Sequence, residues 1–312
     1  MRVVVTGGAG FIGGHLVRRL TDGGHEVAVV DDLSTGRREN LPAGVPLAVL
    51  DIGATDALAT ALAGADAVAH LAAVASVRRA YDEPLTVHAI NATGTLSVLE
   101  ACRAANVGTV VFASSAAIYA PSDAPVPESG AIAPSSLYGV DKLAGEGYMD
   151  VYAHLHGLRT VSLRYFNVYG PGQLPSAGDS PVVARWMASL AAGDALELHG
   201  DGGQTRDFTY VGDIAAATAL ALAAAADGRA SGAFNVGRGG SVSLRRLAED
   251  LAAVAGAPAR FRHEPSRPGD VRHSRADVAR ARAILGYAPS VDLAEGLAAT
   301  WAWWAARGRA AS

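Results

Sequence analysis

A single cysteine, Cys102, in 312 residues leaves no partner for an internal disulfide and no cysteine cluster for zinc. Nothing in the chain therefore asks for an oxidising compartment. Lysine is as scarce: of the 26 Lys and Arg residues, Lys142 alone is lysine. A net charge of −4 offers no general attraction to nucleic acid or to an anionic membrane. The chain enters Val3-Val4-Val5 almost at once, with no charged region, apolar stretch and small-residue cleavage site of a secretory signal, and a cytoplasmic protein is expected. The longest apolar run, Ile214 to Ala226, would span about 20 Å as a helix against about 30 Å of bilayer hydrocarbon, so it predicts a buried helix. With 36 glycines and 14 prolines the chain stays below low-complexity composition, and with 50% apolar and 18% charged residues it reads as folded and globular.

Short β-branched runs alternate with Ala/Leu-rich stretches through the first half, the pattern of strand–helix–strand units on a parallel sheet. Strands are expected near 2–6, 26–30, 46–50, 67–71, 109–114 and 159–165, and helices near 11–22, 56–63, 82–106 and 137–156. Glu83-Pro84 suits the opening of the third helix, where proline's missing N–H costs nothing. After Gly170 the texture changes, with Pro171, Gly172, Pro175, Gly178 and Pro181 interrupting regular structure. The expected fold class is α/β, a Rossmann-type doubly wound parallel sheet with a smaller α/β substrate-binding lobe. Residues 1–169 form the nucleotide-binding domain, with segments near 207–236 returning to it, and 170–312 form the lobe.

Gly7, Gly10 and Gly13 lie between the first strand and the first helix. Glycine is needed there because a Cβ would keep the backbone from approaching a pyrophosphate, whose charge then rests on N–H groups at the helix N-terminus. A tight turn in a glycine-rich chain is the plain alternative. It loses ground to the acid that follows, Asp31, at the end of the second strand. A carboxylate there accepts the adenosine ribose hydroxyls and repels a 2′-phosphate, which favours NAD over NADP. Arg37 and Arg38, farther along the loop, read as a solvated face. Asp51-Ile52, ending the third strand, is placed to meet the adenine.

Lys142 lies four residues after Tyr138. Nine tyrosines in 312 positions would put one there by accident about 3% of the time. On a helix the two side chains share a face, so phenol and ammonium can enter one site. A free phenol is a weak base at neutral pH; a neighbouring ammonium favours the phenolate. Lysine, a compact charge, also donates to ribose hydroxyls in a way that a planar guanidinium does less well. Upstream, Val110 to Ser115 reads as a buried strand with hydroxyls at its carboxyl end, where open α/β sheets bind ligands, and Ser115 is placed to share the reacting oxygen with Tyr138.

At this point the chain resembles the extended short-chain dehydrogenase/reductase superfamily, in its NAD-dependent nucleotide-sugar epimerase/dehydratase branch, over nearly its whole length. The resemblance rests on Thr6 to Gly13, Asp31 to Ser34, His70 to Ala73, Asn91 to Thr95, Ser114 to Tyr119, Tyr138 to Lys142 and Arg164 to Pro171. Gly200-Asp201-Gly202, Arg206-Asp207-Phe208 and Arg267 to Asp270 continue it. It implies that Tyr138 is the base, Lys142 its pKa-lowering and ribose-binding partner, and Ser115 the hydroxyl on the substrate oxygen. It implies a cofactor lining from Gly7, Gly10, Phe11, Ile12 and Gly13. Asp31, Asp32, Ser34, Thr35 and Gly36 continue that lining, followed by Asp51, Ile52, Leu71, Ala72, Ala73, Asn91 and Phe166. Asn167, Arg206, Arg267 and Asp270 would hold the nucleoside diphosphate half of the substrate, in keeping with the match of arginine forks to phosphates.

Dehydratases of the branch carry an Asp-Glu pair directly after the catalytic hydroxyl residue, and decarboxylases a Glu. Here stand Ala116 and Ala117, which move no protons. The similarity therefore points to epimerases of the UDP-glucose/UDP-galactose type. They act by reversible oxidation at C4: the base takes the hydroxyl proton, hydride passes to NAD, the 4-keto sugar turns over, and hydride returns to its other face. Two departures bear on the sugar. Ala75 or Ser76 stands where many UDP-galactose 4-epimerases have a lysine near the cofactor phosphates, which weakens assignment to that subgroup. Ser274 stands four residues past Asp270, where enzymes restricted to plain hexoses usually carry a tyrosine, so room for an N-acetyl group at C2 is expected. A uronic acid stays open because Arg185, read first as a helix-surface arginine, has the charge for a C6 carboxylate.

Two other readings remain. A net nucleotide-sugar reductase would consume NAD(P)H, and Asp31 argues against its NADPH form. A non-catalytic NAD-binding protein of the same fold would have no use for the Ser115, Tyr138 and Lys142 set. His70 is expected to pack at a strand end. The His154/His156 and His263/His273 pairs lack metal spacing, so no metal is assigned. Trp301, Trp303 and Trp304 are expected in lobe packing. The helices near 82–106 and 137–156 resemble those through which relatives dimerise as a four-helix bundle, which predicts a homodimer.

Overall fold

The computed structural model describes residues 1–175, 180–266 and 271–310. Its centre is a seven-stranded sheet built from β1 (Arg2–Thr6), β2 (Glu26–Asp31), β3 (Leu47–Val49), β4 (Ala67–His70), β5 (Thr109–Ser115), β6 (Arg159–Tyr165) and β11 (Gly232–Val236). The spatial order is β11-β6-β5-β4-β1-β2-β3, and every pairing is parallel. The order reverses between β1 and β4, and the carboxyl ends of those strands define the crevice where such sheets take ligands.

Parallel strands buried on both faces need apolar residues at successive positions rather than at alternate ones, which is why Val3, Val4 and Val5 run together. Their side chains divide between two cores. Val3 and Val5 face α1 (Phe11–Asp22) and α8 (Val211–Ala226), while Val4 faces α2 (Thr55–Leu62), α5 (Gly94–Ala104) and α6 (Leu137–His156). Helix α8 contains the run Ile214–Ala226, buried against the sheet as its composition predicts. No helix among the described residues is long and apolar enough to cross a membrane.

The helix expected over 82–106 runs over 84–104, opening on Pro84 and widened midway by a π-helical turn, and a separate short helix precedes it. Helix α3 (Val77–Asp82) is capped by the Ser76 hydroxyl, α4 (Pro84–His88) opens on Pro84, and α5 follows a π-helical turn over Ala89–Thr93. The break at Glu83, with φ −129° and ψ 58°, has a steric cause: the proline ring excludes the preceding residue from the α region. Asn91 sits in the widened turn. Its side-chain oxygen accepts from Val74 N at 2.8 Å and its amide donates to Val74 O at 3.1 Å, so the turn clamps the loop that leaves β4.

Beyond Tyr165 the chain uses short pieces. Strand β7 (Val168–Tyr169) pairs with β10 (Thr209–Tyr210), and β9 (Thr205–Arg206) pairs with β12 (Val242–Ser243). Strands β8 (Leu196–His199) and β13 (Phe261–Glu264) also pair. Helices α7 (Val182–Ala192), α9 (Leu244–Ala255) and α10 (Leu293–Ala310) enclose a third core around Trp186, Leu198, Leu251 and Leu297, and Trp301 and Trp304 close it. Within this second half, α8 and β11 pack on and extend the central sheet.

Candidate active site

The glycine-rich turn is a cradle with no room for side chains. Gly7 adopts φ +70°, and a Cβ on it would lie 2.6 Å from Ala72 N, while one on Gly13 would lie 2.1 Å from Gly7 O. Gly10 caps α1 with no side chain of its own. The first N–H groups of the helix thus face the sheet's carboxyl edge, an environment suited to phosphate. Phe11, Ile12 and Gly13 form that first turn.

Asp31 closes the cradle from the side. Its carboxylate is buried, accepting from Ala9 N and Leu33 N, both at 2.9 Å. Burial raises its pKa, and the two backbone donors pull it back. A Cβ on Gly36 would sit 2.6 Å from this carboxylate, so the loop carrying Thr35 and Gly36 presses directly on it. Asp32 is spent locally, accepting from the Ser34 amide and hydroxyl at 2.9 and 2.7 Å. Arg37 and Arg38 are exposed. Asp51 likewise accepts from Gly53 N at 2.8 Å, and Ile52 is buried in the α2–α5 core. Leu71 to Ala73 leave β4 against the glycine turn, with Leu71 N on Thr6 O. Phe166 packs inside the sheet core beside Tyr119. The glycine cradle and the buried acid match a dinucleotide in shape and in charge, and the acid is poorly matched to a ribose 2′-phosphate.

Ser115, Tyr138 and Lys142 come together at the carboxyl end of β5. Helix α6 starts under a Ser136 cap and lies hard against the strand: a Cβ on Gly139 would meet Ala117 O at 2.5 Å, and one on Gly145 would meet the Phe112 ring at the same distance. This close approach sets the Tyr138 phenol beside the Ser115 hydroxyl. Burial pushes the phenol's pKa up, and the hydrogen bond with Ser115 pulls it down. The Lys142 ammonium lies 5.8 Å from the centre of the Tyr138 ring and donates to Ala113 O at 2.8 Å. Burial drives its own pKa down to about 8, against the opposing charge of Asp141. The expected lowering of the tyrosine by lysine is therefore not a direct contact here; the serine is the group that pulls the phenol's pKa down.

Beneath the cleft, His70 is buried, bridging the Thr6 hydroxyl at 2.8 Å and the Thr95 hydroxyl at 3.0 Å and stacking on Phe112. Burial, then the nearby Lys142 charge, hold its pKa down at about 3. It is a neutral strut at the strand end.

On the far side of the cleft, Asn167 is exposed just before β7, and Arg206 lies on β9 with Nη1 donating to Thr205 O at 2.8 Å. Ser274 N donates to Thr205 O at 3.1 Å, which sets it alongside Arg206. Arg267 and Asp270 lie outside the described residues. Arg185, on α7, acts on Glu197, where the His199 hydrogen bond and burial weigh more.

Two groups escaped the sequence reading. Asp207, fully buried, accepts from Arg238 N and Gly239 N at 2.9 Å and from Ala276 N at 3.1 Å, and so gathers the loops around Arg206 and Ser274. Glu146 pairs with Arg164 at 2.7 Å beneath Ser115, Tyr138 and Lys142. Its signal was available: Tyr138, Lys142 and Glu146 recur every four residues on one helix face.

The family model for the NAD-dependent epimerase/dehydratase family matches residues 3–237. A UDP-glucose 4-epimerase of Mycolicibacterium smegmatis is 40% identical over 308 residues, covering 96% of this chain and 97% of that protein. The Thermus thermophilus UDP-glucose 4-epimerase in complex with NAD superposes with a TM-score of 0.90 at 38% identity, covering 98% of this chain and 99% of that one. A UDP-N-acetylglucosamine 4-epimerase from Methanobrevibacter ruminantium, in complex with UDP-N-acetylmuramic acid, gives 0.92 at 35% identity, covering 98% of each chain. Agreement in motif order, sheet topology and cradle, over almost the full length of each relative, places the chain in the NAD-dependent epimerase/dehydratase family.

Proposed function

We propose that the protein is an NAD-dependent UDP-sugar 4-epimerase that interconverts UDP-glucose and UDP-galactose and accepts their N-acetylated forms. The carrying observation is the Tyr138–Ser115 hydroxyl pair beside a buried ammonium, with alanine at 116 and 117. Bound NAD supplies a reversible hydride acceptor for the sugar's C4. The chain's own residues manage the proton and the geometry. Gly7, Gly10 and Gly13 admit the pyrophosphate, Asp31 holds the ribose, and Lys142 exchanges its bond to Ala113 O for the second ribose. Ser115 donates to the sugar's C4 oxygen while Tyr138 takes the proton of the C4 hydroxyl and later returns it, so no proton is lost over a cycle. The alanines leave no second acid and base for eliminating water.

The nucleoside diphosphate belongs with Asn167 and Arg206, and with Arg267 and Asp270 by resemblance. The serine at 274 beside Arg206 supports the N-acetyl reading, in line with the relative that carries an N-acetylated ligand. The domain division proposed is 1–169 with the return near 207–236, and 170–312 for the sugar-nucleotide lobe. A homodimer is supported by an apolar face with no cover: Leu85 is 84% exposed, Tyr81 76% and Leu155 65%, alongside Val77, Val140 and Val151 on α3, α4 and α6. The single cysteine, buried on α5, fits a cytoplasmic site of action.

The test is to incubate purified protein, with no cofactor added, with UDP-glucose, UDP-N-acetylglucosamine and UDP-glucuronate and to resolve C4 epimers by chromatography. Galactose and N-acetylgalactosamine epimers are expected. Turnover of the glucuronate alone would overturn the substrate assignment, and no turnover of any sugar the activity itself.

A further inference from the structure

One turn beyond Lys142, helix α6 carries a buried carboxylate that takes no part in the chemistry. Glu146 and Arg164 have side chains 9% and 8% exposed. They meet fork to fork: Arg164 Nε donates to Oε1 at 2.9 Å and Nη2 to Oε2 at 2.7 Å. The Ser114 hydroxyl donates to Glu146 Oε1 as well. Arg164 Nη1, in turn, donates to the Tyr119 hydroxyl at 2.7 Å and to Glu128 O at 2.8 Å, and its guanidinium lies over the Tyr119 ring. Tyr119 passes the chain on to Asn235 on β11 at 2.7 Å.

All three guanidinium nitrogens and both carboxylate oxygens are thus engaged, which is the condition under which a buried ion pair is tolerated. Such pairs add little net stability relative to apolar residues of equal volume, so stability alone does not account for this one. Its placement does. Glu146 is bonded to the hydroxyl of Ser114, the immediate neighbour of Ser115, and sits on the same α6 face as Tyr138 and Lys142. Arg164 ties that point to β6.

We infer that the Glu146–Arg164–Ser114 cluster is a positioning device that locks the rotation and axial register of α6 against the end of β5, and thereby holds the Tyr138 phenol on the Ser115 hydroxyl. It rests on the epimerase reading for its consequence in turnover, but its geometry does not. A hydroxyl pair that must share one substrate oxygen tolerates little error, since a displacement of about 1 Å at a reacting centre costs about a hundredfold in rate.

The test uses the double variant Glu146→Leu/Arg164→Met, because removing both charges avoids stranding either one in the core. Ser114→Ala, which leaves the ion pair in place, is the milder companion should the double variant not fold. Two quantities are read on the full chain. The first is the phenolate ultraviolet titration of Tyr138, isolated by subtracting the same background with Tyr138→Phe; Lys142 and the Ser115 hydroxyl are the groups that face this phenol. Loss of the serine bond moves the titration to higher pH, by about half a unit or more. The second is turnover: kcat falls about tenfold to a hundredfold in the double variant and less in Ser114→Ala, while KM for the UDP-sugar and bound NAD content stay within about twofold.

A folded double variant, or failing that Ser114→Ala, with both titration and kcat unchanged overturns the inference. A fall in kcat with the titration unmoved also overturns it, because the hydroxyl pair would then be intact. If the parent protein proves inactive on every UDP-sugar, the epimerase reading fails by itself, and the titration still decides whether the cluster positions Tyr138.

Discussion

Ser115, Tyr138 and Lys142 stand at the end of a strand and on the helix packed against it, in a parallel sheet buried on both faces, whereas Asn167, Arg206 and Ser274 lie on or beside strands two residues long. On the sheet side, position comes from many small constraints: a seven-residue strand, a twenty-residue helix and glycines that let the two touch. On the lobe side it comes from few constraints, above all from Asp207, whose carboxylate draws three backbone N–H groups from two separate loops. The sheet side is suited to holding atoms that react. The lobe side is suited to grasping a substrate that must enter, turn over and leave. Damage on the first side is expected in kcat, and damage on the second in KM.

The sharpest break is Tyr138→Phe. The variant removes the hydroxyl proposed to touch the reacting oxygen and leaves the ring to fill its place, so fold and NAD content are expected to be kept. A general base contributes about a hundredfold to ten-thousandfold, and kcat is expected to drop by about a thousandfold or more. Retained NAD with lost turnover, measured on the same preparation, distinguishes this from collapse of the cradle. A variant that still turns over within tenfold of the parent would remove the base from Tyr138.

The same contrast shows what was legible in the sequence. Six strands and the four helices expected in the first half are readable because buried parallel strands and the helices that cover them are written in contiguous residues. The glycine turn and the Tyr138–Lys142 spacing are local for the same reason. Less legible are the short helix before Glu83 and the π-helical turn inside the long helix, and the turn's purpose, Asn91 reaching back to Val74, is a contact across the fold. Asp207 and the Glu146–Arg164 pair share that property. Each is an ordinary charged residue until the chain closes around it, and only the closed structure shows which main-chain groups or which opposite charge it meets.

A lesser effect is expected from Asp207→Asn. The carboxylate accepts from three N–H groups, and an amide offers one acceptor while turning an NH2 toward donors. Losing charge-assisted bonds to a buried acceptor costs about 2 kcal/mol. In a chain of this length that lowers Tm by about 4 °C. The loops around Arg206 and Ser274 loosen together, so KM for UDP-glucose is expected to rise about tenfold with kcat within about threefold. Initial-rate kinetics and a thermal melt on one preparation check both numbers. A fall in kcat at unchanged KM would erase the proposed division between the two sides.

The smallest effect is read from pH. Lys142, with its pKa brought down to about 8 by burial, is an ammonium below that value and an uncharged amine above it. The Tyr138 phenol is pushed upward by burial and pulled back by Ser115 in the resting protein; in the proposed turnover geometry, with Lys142 moved from Ala113 O to the ribose, the ammonium charge favours the phenolate as well. Raising the pH therefore favours the phenolate directly while removing the cation that stabilises it, and the second effect takes over above about 8. The profile of kcat/KM, which reports the free enzyme, is expected to bend downward there, losing less than about tenfold in the first unit. Asp207→Asn should shift the whole profile down without moving the bend, because its loops lie on the other side of the cleft. A bend that moves with Asp207, or a profile that keeps rising to the ordinary lysine pKa, would show that the two sides are one electrostatic unit.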